Sequence, residues 1–444
     1  MRKPQGSIFM EQLLLATRSK IPYRYRVLLF LFFLNFILYV DRVAVSLLGV
    51  RIKAAFQLSN EQFGWVLGAF SLAYALFEVP TGVLGDRIGQ RLVMIRIVIW
   101  WSLFTAITGL TTGLISLIVV RFLFGVGEAG AMPTVAGVVS RWFPQKETAR
   151  SFSSIFTGQS LGSAIAPLII IPLAAAFGWR VPFFVIGMMG IVWVLVCVAW
   201  FKNNPAESKG ISEEEKNLIE KTRRFEEHTS AFPWKLVLRN RSLMALVLSF
   251  FCGQCTNYFY IAWMPVYLQN GKHFSENDMK LFSFYFFTVV VAAILLGGLF
   301  IDWLVKKKGL RFGRKSMGFF GLVSPAIAFL VTASTTSNQV AAISLFTGGL
   351  IYYALIGVTS FSACVDIGGS RAGTVTGIMN FFGQTGAFLL AMTFGKIADM
   401  ANDFDTSMYM LAGVVLLGSL CWFFVDASRP LVIEKDSPAT RSIP

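Results

Sequence analysis

Residues 27–50 read VLLFLFFLNFILYVDRVAVSLLGV, an apolar segment long enough to span a bilayer. Asp41 and Arg42 lie inside it. At a helical rise of ~1.5 Å per residue, Arg42 is roughly 24 Å from Arg26 and ~13 Å from Arg51, so its charge does not reach either surface easily. Charged groups at such depth are costly, and they usually face a bundle interior or a wet cavity on an ion or substrate path. The segment therefore predicts a functional membrane helix.

The polar residues of this segment fall on two faces. Asn35, Tyr39, Arg42 and Ser46 recur at i, i+4, i+7 and i+11, which is one side of a helix. Asp41 is turned about 100° away from that stripe. The spacing predicts that Arg42 and Asp41 meet different neighbours.

The composition is that of a polytopic membrane protein. Of 444 residues, 55% are hydrophobic and only 14% are charged, whereas soluble domains carry about 25% charge. The net charge of +15 could indicate a nucleic-acid partner, but the basic residues fall mostly in alternate loops. That asymmetry is a topology signal, and it predicts a bilayer-embedded chain with both termini in the cytoplasm and no nucleic-acid partner.

The apolar periodicity predicts an all-α fold of twelve membrane helices. A polar stretch at residues 202–240 separates a bundle at 1–201 from a second at 241–444. Within that stretch, Ser212 and Glu215 have the spacing of a capping box, which predicts a short helix on the cytoplasmic surface. The predicted membrane segments are 25–49, 62–84, 92–111, 114–140, 151–176, 181–201, 241–269, 280–304, 316–336, 339–363, 372–398 and 406–427.

The two halves carry similar motifs. GVLGDRIGQR follows the second segment, from Gly82 to Arg91, and GLFIDWLVKKKGLRFGRK follows the eighth, from Gly298 to Lys315. Each has Gly-x-x-x-Asp and then a basic loop. Repeated six-helix halves are typical of secondary transporters, whose binding sites lie between the repeats near the middle of the membrane. The sequence thus predicts two pseudo-symmetric six-helix bundles.

Several motifs carry a family resemblance. GVLGDRIGQR resembles the loop signature of the major facilitator superfamily. The segments YVDR at Tyr39–Arg42, RFLFGVGEAGAMPTVAGVVSRWFP at Arg121–Pro144 and GTVTGIMNFFGQTGA at Gly373–Ala387 resemble its anion:cation symporter branch. The resemblance implies transport of organic anions, typically carboxylates such as sugar acids, driven by protons or sodium. It also implies a cavity between the halves and alternating access.

Asp41, Glu128 and Arg121 are the candidates for proton coupling. Arg121 and Glu128 lie seven residues apart and share a helix face. A carboxyl at that depth favours its neutral form because burial disfavours charge, which suits a proton carrier. The alternative is a permanent structural ion pair between Asp41 and Arg121.

Arg42 is the candidate for binding the substrate anion. A guanidinium binds a carboxylate through two parallel hydrogen bonds and does not lose its proton. The alternative is that Arg42 only pairs with Asp41 or Glu128. Further substrate-binding candidates offer hydroxyls and amides suited to a polyhydroxylated acid, or else ordinary interhelical hydrogen bonds. They are Tyr39, Tyr74, Gln159 and Asn380.

The loop motif has a different predicted role. It comprises Gly82, Asp86, Arg87, Gly89 and Arg91. These residues cap helix ends and pair with charges, so we expect them to close the cytoplasmic side of the outward-facing state. Asp302 with Arg314 is the predicted counterpart in the second half.

These observations predict a secondary transporter, a monomer in the plasma membrane (or the inner membrane of a bacterium). The expected activity is uptake of a small organic anion with protons, or with sodium. Efflux of amphipathic compounds by antiport is an alternative, against which Arg42 and Arg121 argue. A non-transporting sensor on the same fold is another. The sequence contains no phosphate-binding loop, nucleophile–base pair or metal-ligand cluster, so we expect no enzyme activity, cofactor or metal.

Overall fold

The computed structural model describes residues 22–144, 147–208, 210–222, 240–368 and 372–428. A first group of helices precedes residue 201. Its members are α1 (Tyr23–Leu47), α2 (Gly49–Phe56), α3 (Asn60–Ile88), α4 (Gln90–Thr108), α5 (Leu114–Glu128), α6 (Ala131–Trp142), α7 (Thr148–Phe177) and α8 (Val181–Trp200).

A linker helix and a second group follow. The linker contains α9 (Glu213–Thr222). The second group comprises α10 (Arg241–Tyr258), α11 (Glu276–Lys308), α12 (Leu310–Ser334), α13 (Asn338–Gly368), α14 (Ala372–Ala401) and α15 (Phe404–Cys421). Eleven helical spans among the described residues, with α5 and α6 counted as one and α10 extended to Gly271, are long and apolar enough to cross a membrane. Helix α3 is a twelfth of comparable length. The predicted all-α membrane fold is confirmed.

Two predicted segments are interrupted in the structure. The segment predicted at 114–140 breaks between α5 and α6, where Gly130 has φ 88°, a left-handed conformation that favours glycine. The segment predicted at 241–269 leaves α-helical geometry after Tyr258 and forms π-helical turns at Phe259–Trp263 and Tyr267–Gly271. Pro265 lies between these turns and has no backbone N–H to donate, so it cannot sustain a regular α-helical ladder.

Each group packs mainly within itself. In the first group α1 lies against α7, α3 against α5, and α4 against α8. In the second group α12 lies against α13 and α15, while α10 lies against α14. The groups meet along two pairs, α3 with α14 and α7 with α11. The expected pseudo-symmetry exchanges these two pairs, since α3 and α11 are the second membrane-spanning helices of their groups and α7 and α14 are the fifth.

Helix α9 marks one end of the molecule, here called the linker end. The predicted capping box forms only in part, because Ser212 Oγ accepts from the Glu215 backbone at 3.2 Å. The Glu215 carboxylate instead accepts from the backbone nitrogens of Tyr23 and Arg24, at 2.9 and 3.0 Å. Arg24 also pairs with Glu215 and Glu147 at 3.0 and 2.8 Å. The linker helix is therefore docked on the start of α1.

The opposite, or far, end joins the two groups. Arg51 in α2 forms a two-pronged pair with Glu276 of α11, each contact 2.7 Å long. Hydrogen bonding to Glu276 raises the pKa of Arg51, so the guanidinium stays charged at physiological pH. Asp399 of α14 accepts from the backbone nitrogens of Asn60 and Glu61 at 3.1 and 2.6 Å. The groups are thus tied together at the far end.

Candidate functional site

The centre of the candidate site is an ion pair between Arg42 and Glu128. The Arg42 Nε and Nη2 groups both contact Glu128 Oε1, and Glu128 Oε2 has no hydrogen-bond partner among the described residues. The Arg42 side chain retains 15% exposure, whereas Glu128 retains 1%. Arg42 is thus the accessible member of the pair, and it interacts electrostatically with Tyr258 of α10 in the second group.

Aromatic rings surround the Arg42 guanidinium. Its central carbon lies 5.2 Å from the ring centre of Tyr39, 5.3 Å from Phe70 and 5.0 Å from Tyr74. Rings attract a cation through their faces without neutralising its charge. The cage therefore holds Arg42 in place and leaves its charge available to an anion.

The position of Glu128 follows from the break in its helix. Glu128 is the last residue of α5, and Ala129 is already extended at ψ 133°. Gly125 permits close packing, because a Cβ there would lie 2.6 Å from the Phe70 carbonyl of α3. A negative charge at a helix carboxyl end is disfavoured by the helix dipole. Glu128 therefore depends on Arg42 for its stabilisation as an anion.

Asp41 points to a different neighbour, as its position off the stripe predicts. It is 3% exposed and accepts a 2.6 Å hydrogen bond from Thr105 Oγ1 of α4. Its second oxygen has no partner among the described residues. The residue patterns gave no signal for Thr105, since a lone threonine in an apolar helix is unremarkable in sequence.

Arg121 is buried near these acids without a described ion pair of its own. It is 4% exposed, and its guanidinium stacks 5.0 Å from Phe70 and 4.6 Å from Phe124. Among the described residues its Nε has no hydrogen-bond partner. Asp41 and Glu128 both interact with it electrostatically. The alternative of an Asp41–Arg121 ion pair is therefore not seen among the described residues; the two interact at longer range, and Thr105 holds Asp41.

The other predicted substrate-binding residues divide into two sets. Gln159 of α7 donates to Asn35 Oδ1 at 3.0 Å, and Asn35 is completely buried. These two form an interhelical bond, so Asn35 does not line a cavity as its place on the stripe suggested. Tyr39 and Asn380 remain partly exposed, and Tyr74 is buried beside Arg42.

A residue pair in the second group was not anticipated. Tyr353 of α13 donates to Asn257 Oδ1 of α10 at 2.9 Å, and both side chains are partly exposed. Tyr353 also interacts electrostatically with Tyr39 across the gap between the groups. The second group therefore presents a polar, uncharged surface at Asn257 and Tyr353, near Tyr39, which is called here the neutral wall.

The loop motif lies at the linker end, away from Arg42. Gly89 has φ 94° between α3 and α4, and Gly309 has φ 85° at the matching junction between α11 and α12. Arg91 donates to the Val198 carbonyl at 2.7 Å. The surroundings of Gly82 and of the Asp86 and Arg87 side chains lie outside the described part of the structure. In the second group Arg314 pairs with Asp366 at 3.0 Å, and the role of Asp302 and Arg314 as the counterpart of the loop motif stays a prediction.

Comparison with known proteins places this geometry in context. The family model described as Major Facilitator Superfamily matches residues 31–391. A probable sulfoacetate transporter of Cupriavidus necator is 29% identical, with 95% of this chain and 97% of the relative covered. The hexuronate transporter of Bacillus subtilis is 29% identical over 94% and 96%, and a D-galactonate transporter of Escherichia coli is 28% identical over 90% and 95%.

Solved structures give the same fold. A bacterial homolog of the human lysosomal transporter Spinster, in an inward-facing and occupied conformation, superposes with a TM-score of 0.73. The two sequences are 19% identical, and the match covers 91% of this chain and 97% of the other. At 19% sequence identity, this similarity shows a shared fold and nothing about function.

Proposed function

The chain belongs to the Major Facilitator Superfamily, and we propose that it is a secondary transporter that takes up an organic carboxylate, such as a sugar acid, together with protons. The observation that carries this proposal is the Arg42–Glu128 pair, in which a partly exposed guanidinium is neutralised by a buried acid with one free oxygen. Relatives named for hexuronate and galactonate support the substrate class.

The pair suggests how proton and substrate are coupled. When Glu128 is ionised, it occupies Arg42 and competes with a substrate carboxylate for the same donors. When Glu128 takes up a proton, Arg42 keeps its positive charge and its two-pronged geometry becomes available to the substrate. Proton binding therefore strengthens substrate binding, and by thermodynamic reciprocity substrate binding strengthens proton binding.

Asp41 acts in this proposal as a second proton-binding group. It is nearly as buried as Glu128, and Thr105 orients its carboxyl group. The nearby Arg121 balances the charge of the cluster in either protonation state, because a guanidinium remains charged at any physiological pH. Tyr39, Tyr74 and Asn380 supply further contacts to the substrate, and Gln159 supports α1 from behind through Asn35.

Alternating access completes the cycle. The far-end contacts of Arg51 with Glu276 and of Asp399 with Asn60 hold one side closed. Their rupture, with closure at the linker end by the Gly82–Arg91 motif, would expose Arg42 to the other side. We place the linker end and both termini in the cytoplasm, because basic residues concentrate in the loops of that end. The cell's plasma membrane or a bacterial inner membrane is the proposed location.

Uptake into proteoliposomes tests the proposal. Labelled hexuronate and galactonate would be offered with an inward proton gradient, an inward sodium gradient, or neither. An electroneutral symporter with one proton should accumulate substrate about tenfold per pH unit of gradient. Uptake that depends on the sodium gradient alone would show that sodium, not the proton, is the coupling ion. Uptake that depends on neither gradient would refute coupled transport.

A further inference from the structure

The charged side chains named at the candidate site all belong to the first group of helices. Asp41, Arg42, Arg121 and Glu128 belong to the first group, and so does Glu78, which interacts electrostatically with Arg42. The facing helices of the second group are different. No Asp, Glu, Lys, Arg or His occurs in their central segments, residues 245–270, 281–301, 340–365 and 375–395. A second charge on a bound substrate would therefore find no countercharge on that side.

The second group offers hydrogen bonds in place of charge. Asn257 and Tyr39 each lie about 24 Å along their helices from the helix start at the linker end, which gives them a similar depth. Tyr353, the partner of Asn257, lies near enough to Tyr39 to interact with it electrostatically. The Asn257 amide oxygen accepts from Tyr353 at 2.9 Å. Among the described residues the Asn257 Nδ2 group has no hydrogen-bond partner. The Asn257 amide thus presents free N–H groups beside Tyr353, which lies near Tyr39 of the ring cage around Arg42.

Helix α14 adds neutral amides to the same wall. A Cβ on Gly68 of α3 would lie 3.2 Å from Phe388, so Phe388 marks the face of α14 that meets the first group. Gln384 and Asn380 lie one and two turns from Phe388 on that face, toward the linker end. Both remain partly exposed.

From this asymmetry we propose that the site selects singly charged carboxylates whose distal part carries uncharged hydroxyls, with Asn257 and Tyr353 reading that part. The inference rests on the proposed function and narrows its substrate class. Arg42 binds the single carboxylate, and the amides of the neutral wall bind the hydroxyls. A second carboxylate or a sulfonate at the distal end would be desolvated without a partner, which is strongly unfavourable.

Two ligands that differ at one carbon give the sharpest comparison. Galactonate has one carboxylate and a distal CH2OH group, whereas galactarate has the same hydroxyls and a carboxylate at both ends. Competition against labelled galactonate uptake, in proteoliposomes at neutral pH, measures the two directly. We expect unlabelled galactarate to inhibit at least about tenfold more weakly than unlabelled galactonate.

Two variants test the residues. Asn257→Lys places a cation on the neutral wall, and the ratio of the galactarate to the galactonate inhibition constant should fall at least about tenfold. Tyr353→Phe removes one hydroxyl and should weaken galactonate binding about threefold to tenfold, while leaving competition by propionate, which lacks the distal hydroxyls, unchanged. Asn217→Lys on the exposed face of α9 and Tyr409→Phe on the surface of α15 are the matched controls.

The outcomes distinguish a failure of the proposed charge selectivity from a failure of the proposed transport function. If galactarate inhibits as well as galactonate in the wild-type protein, the charge filter is overturned and the proposed carboxylate transport stands. If galactonate, galactarate and propionate neither inhibit nor are transported, the proposed function is wrong, and so is the selectivity for singly charged carboxylates that rests on it. If a folded Asn257→Lys protein keeps the wild-type ratio, or the Tyr353→Phe protein weakens propionate equally, the assignment of these two residues is overturned.

Discussion

At the scale of single residues, Arg42 combines two properties that seldom occur together. It is deep enough to be held by three rings and Glu128, yet its side chain retains 15% exposure. Such a guanidinium can exchange one carboxylate partner for another without losing its proton. The proposed transport depends on this exchange of Glu128 for a substrate carboxylate at Arg42.

Arg42→Lys should lower uptake of labelled galactonate by about tenfold or more, because a lysine keeps the charge but not the two parallel hydrogen bonds. Arg96→Lys is the control, since Arg96 lies exposed on the side of α4. Initial rates in proteoliposomes measure the effect. A lysine variant that transports at the wild-type rate would show that the forked geometry is unnecessary.

At the scale of elements, the break between α5 and α6 places Glu128. Gly130 adopts φ 88° there, and an added Cβ would also meet the side chain of Thr81. A non-glycine residue in the left-handed region costs ~1–2 kcal/mol before any clash is counted.

Gly130→Ala should therefore lower the melting temperature of the purified protein and reduce transport, because α5 must shift and carry Glu128 away from Arg42. Gly413→Ala is the control, as nothing lies within 4 Å of the Cβ position on α15. Thermal unfolding of both variants in detergent gives the comparison. Equal melting temperatures and equal transport for the two would contradict the role given to the break.

The linker helix supplies a second test at this scale. Glu215 binds the Arg24 side chain and two backbone nitrogens, and its side chain is 7% exposed. Glu215→Gln should lower stability by ~1–3 kcal/mol, since a buried charge-assisted contact is lost while Glu147 still holds Arg24. Glu213→Gln on the same helix should be nearly neutral, because Glu213 is 79% exposed. Equal denaturation midpoints would show that α9 is not anchored through Glu215.

Sequence patterns predicted the helices well and their partners poorly. Hydrophobic length marks a membrane helix, and the stripe of Tyr39, Arg42 and Ser46 correctly separated Arg42 from Asp41. Periodicity does not reveal which helices touch or at what height, so neither the Thr105 bond nor the Tyr353–Asn257 pair could be foreseen. The π-helical turns after Tyr258 and the split at Gly130 depend on local backbone geometry, which an apolar run does not encode.

At the scale of the whole molecule, the two groups are fastened at the far end by close backbone approaches. A Cβ on Gly395 of α14 would collide with the Asn60 carbonyl of α3, and Gly64 of α3 faces the Ala391 carbonyl in the same way. Contacts of this kind leave no room for a methyl group. Substitution there should bias the molecule away from the state in which the far end is closed.

Gly395→Ala should therefore lengthen the distance between spin labels placed at Gln57 and Asn402, which lie in exposed far-end loops of the two groups. Gly377→Ala on the same helix has open space around it and serves as the control. Pulsed electron resonance gives both distance distributions. Identical distributions would mean that the far end opens without separating α3 from α14.

The coupling of proton to substrate is the central claim, and proton movement into liposomes reports it most directly. With a pH-sensitive dye inside, adding galactonate outside should acidify the interior in liposomes carrying the wild-type protein or Glu214→Gln, whose altered residue is exposed on α9. Glu128→Gln combined with Asp41→Asn should exchange galactonate across the membrane without acidification, because neither amide can carry a proton. Substrate-driven acidification that survives in this double variant would contradict the account.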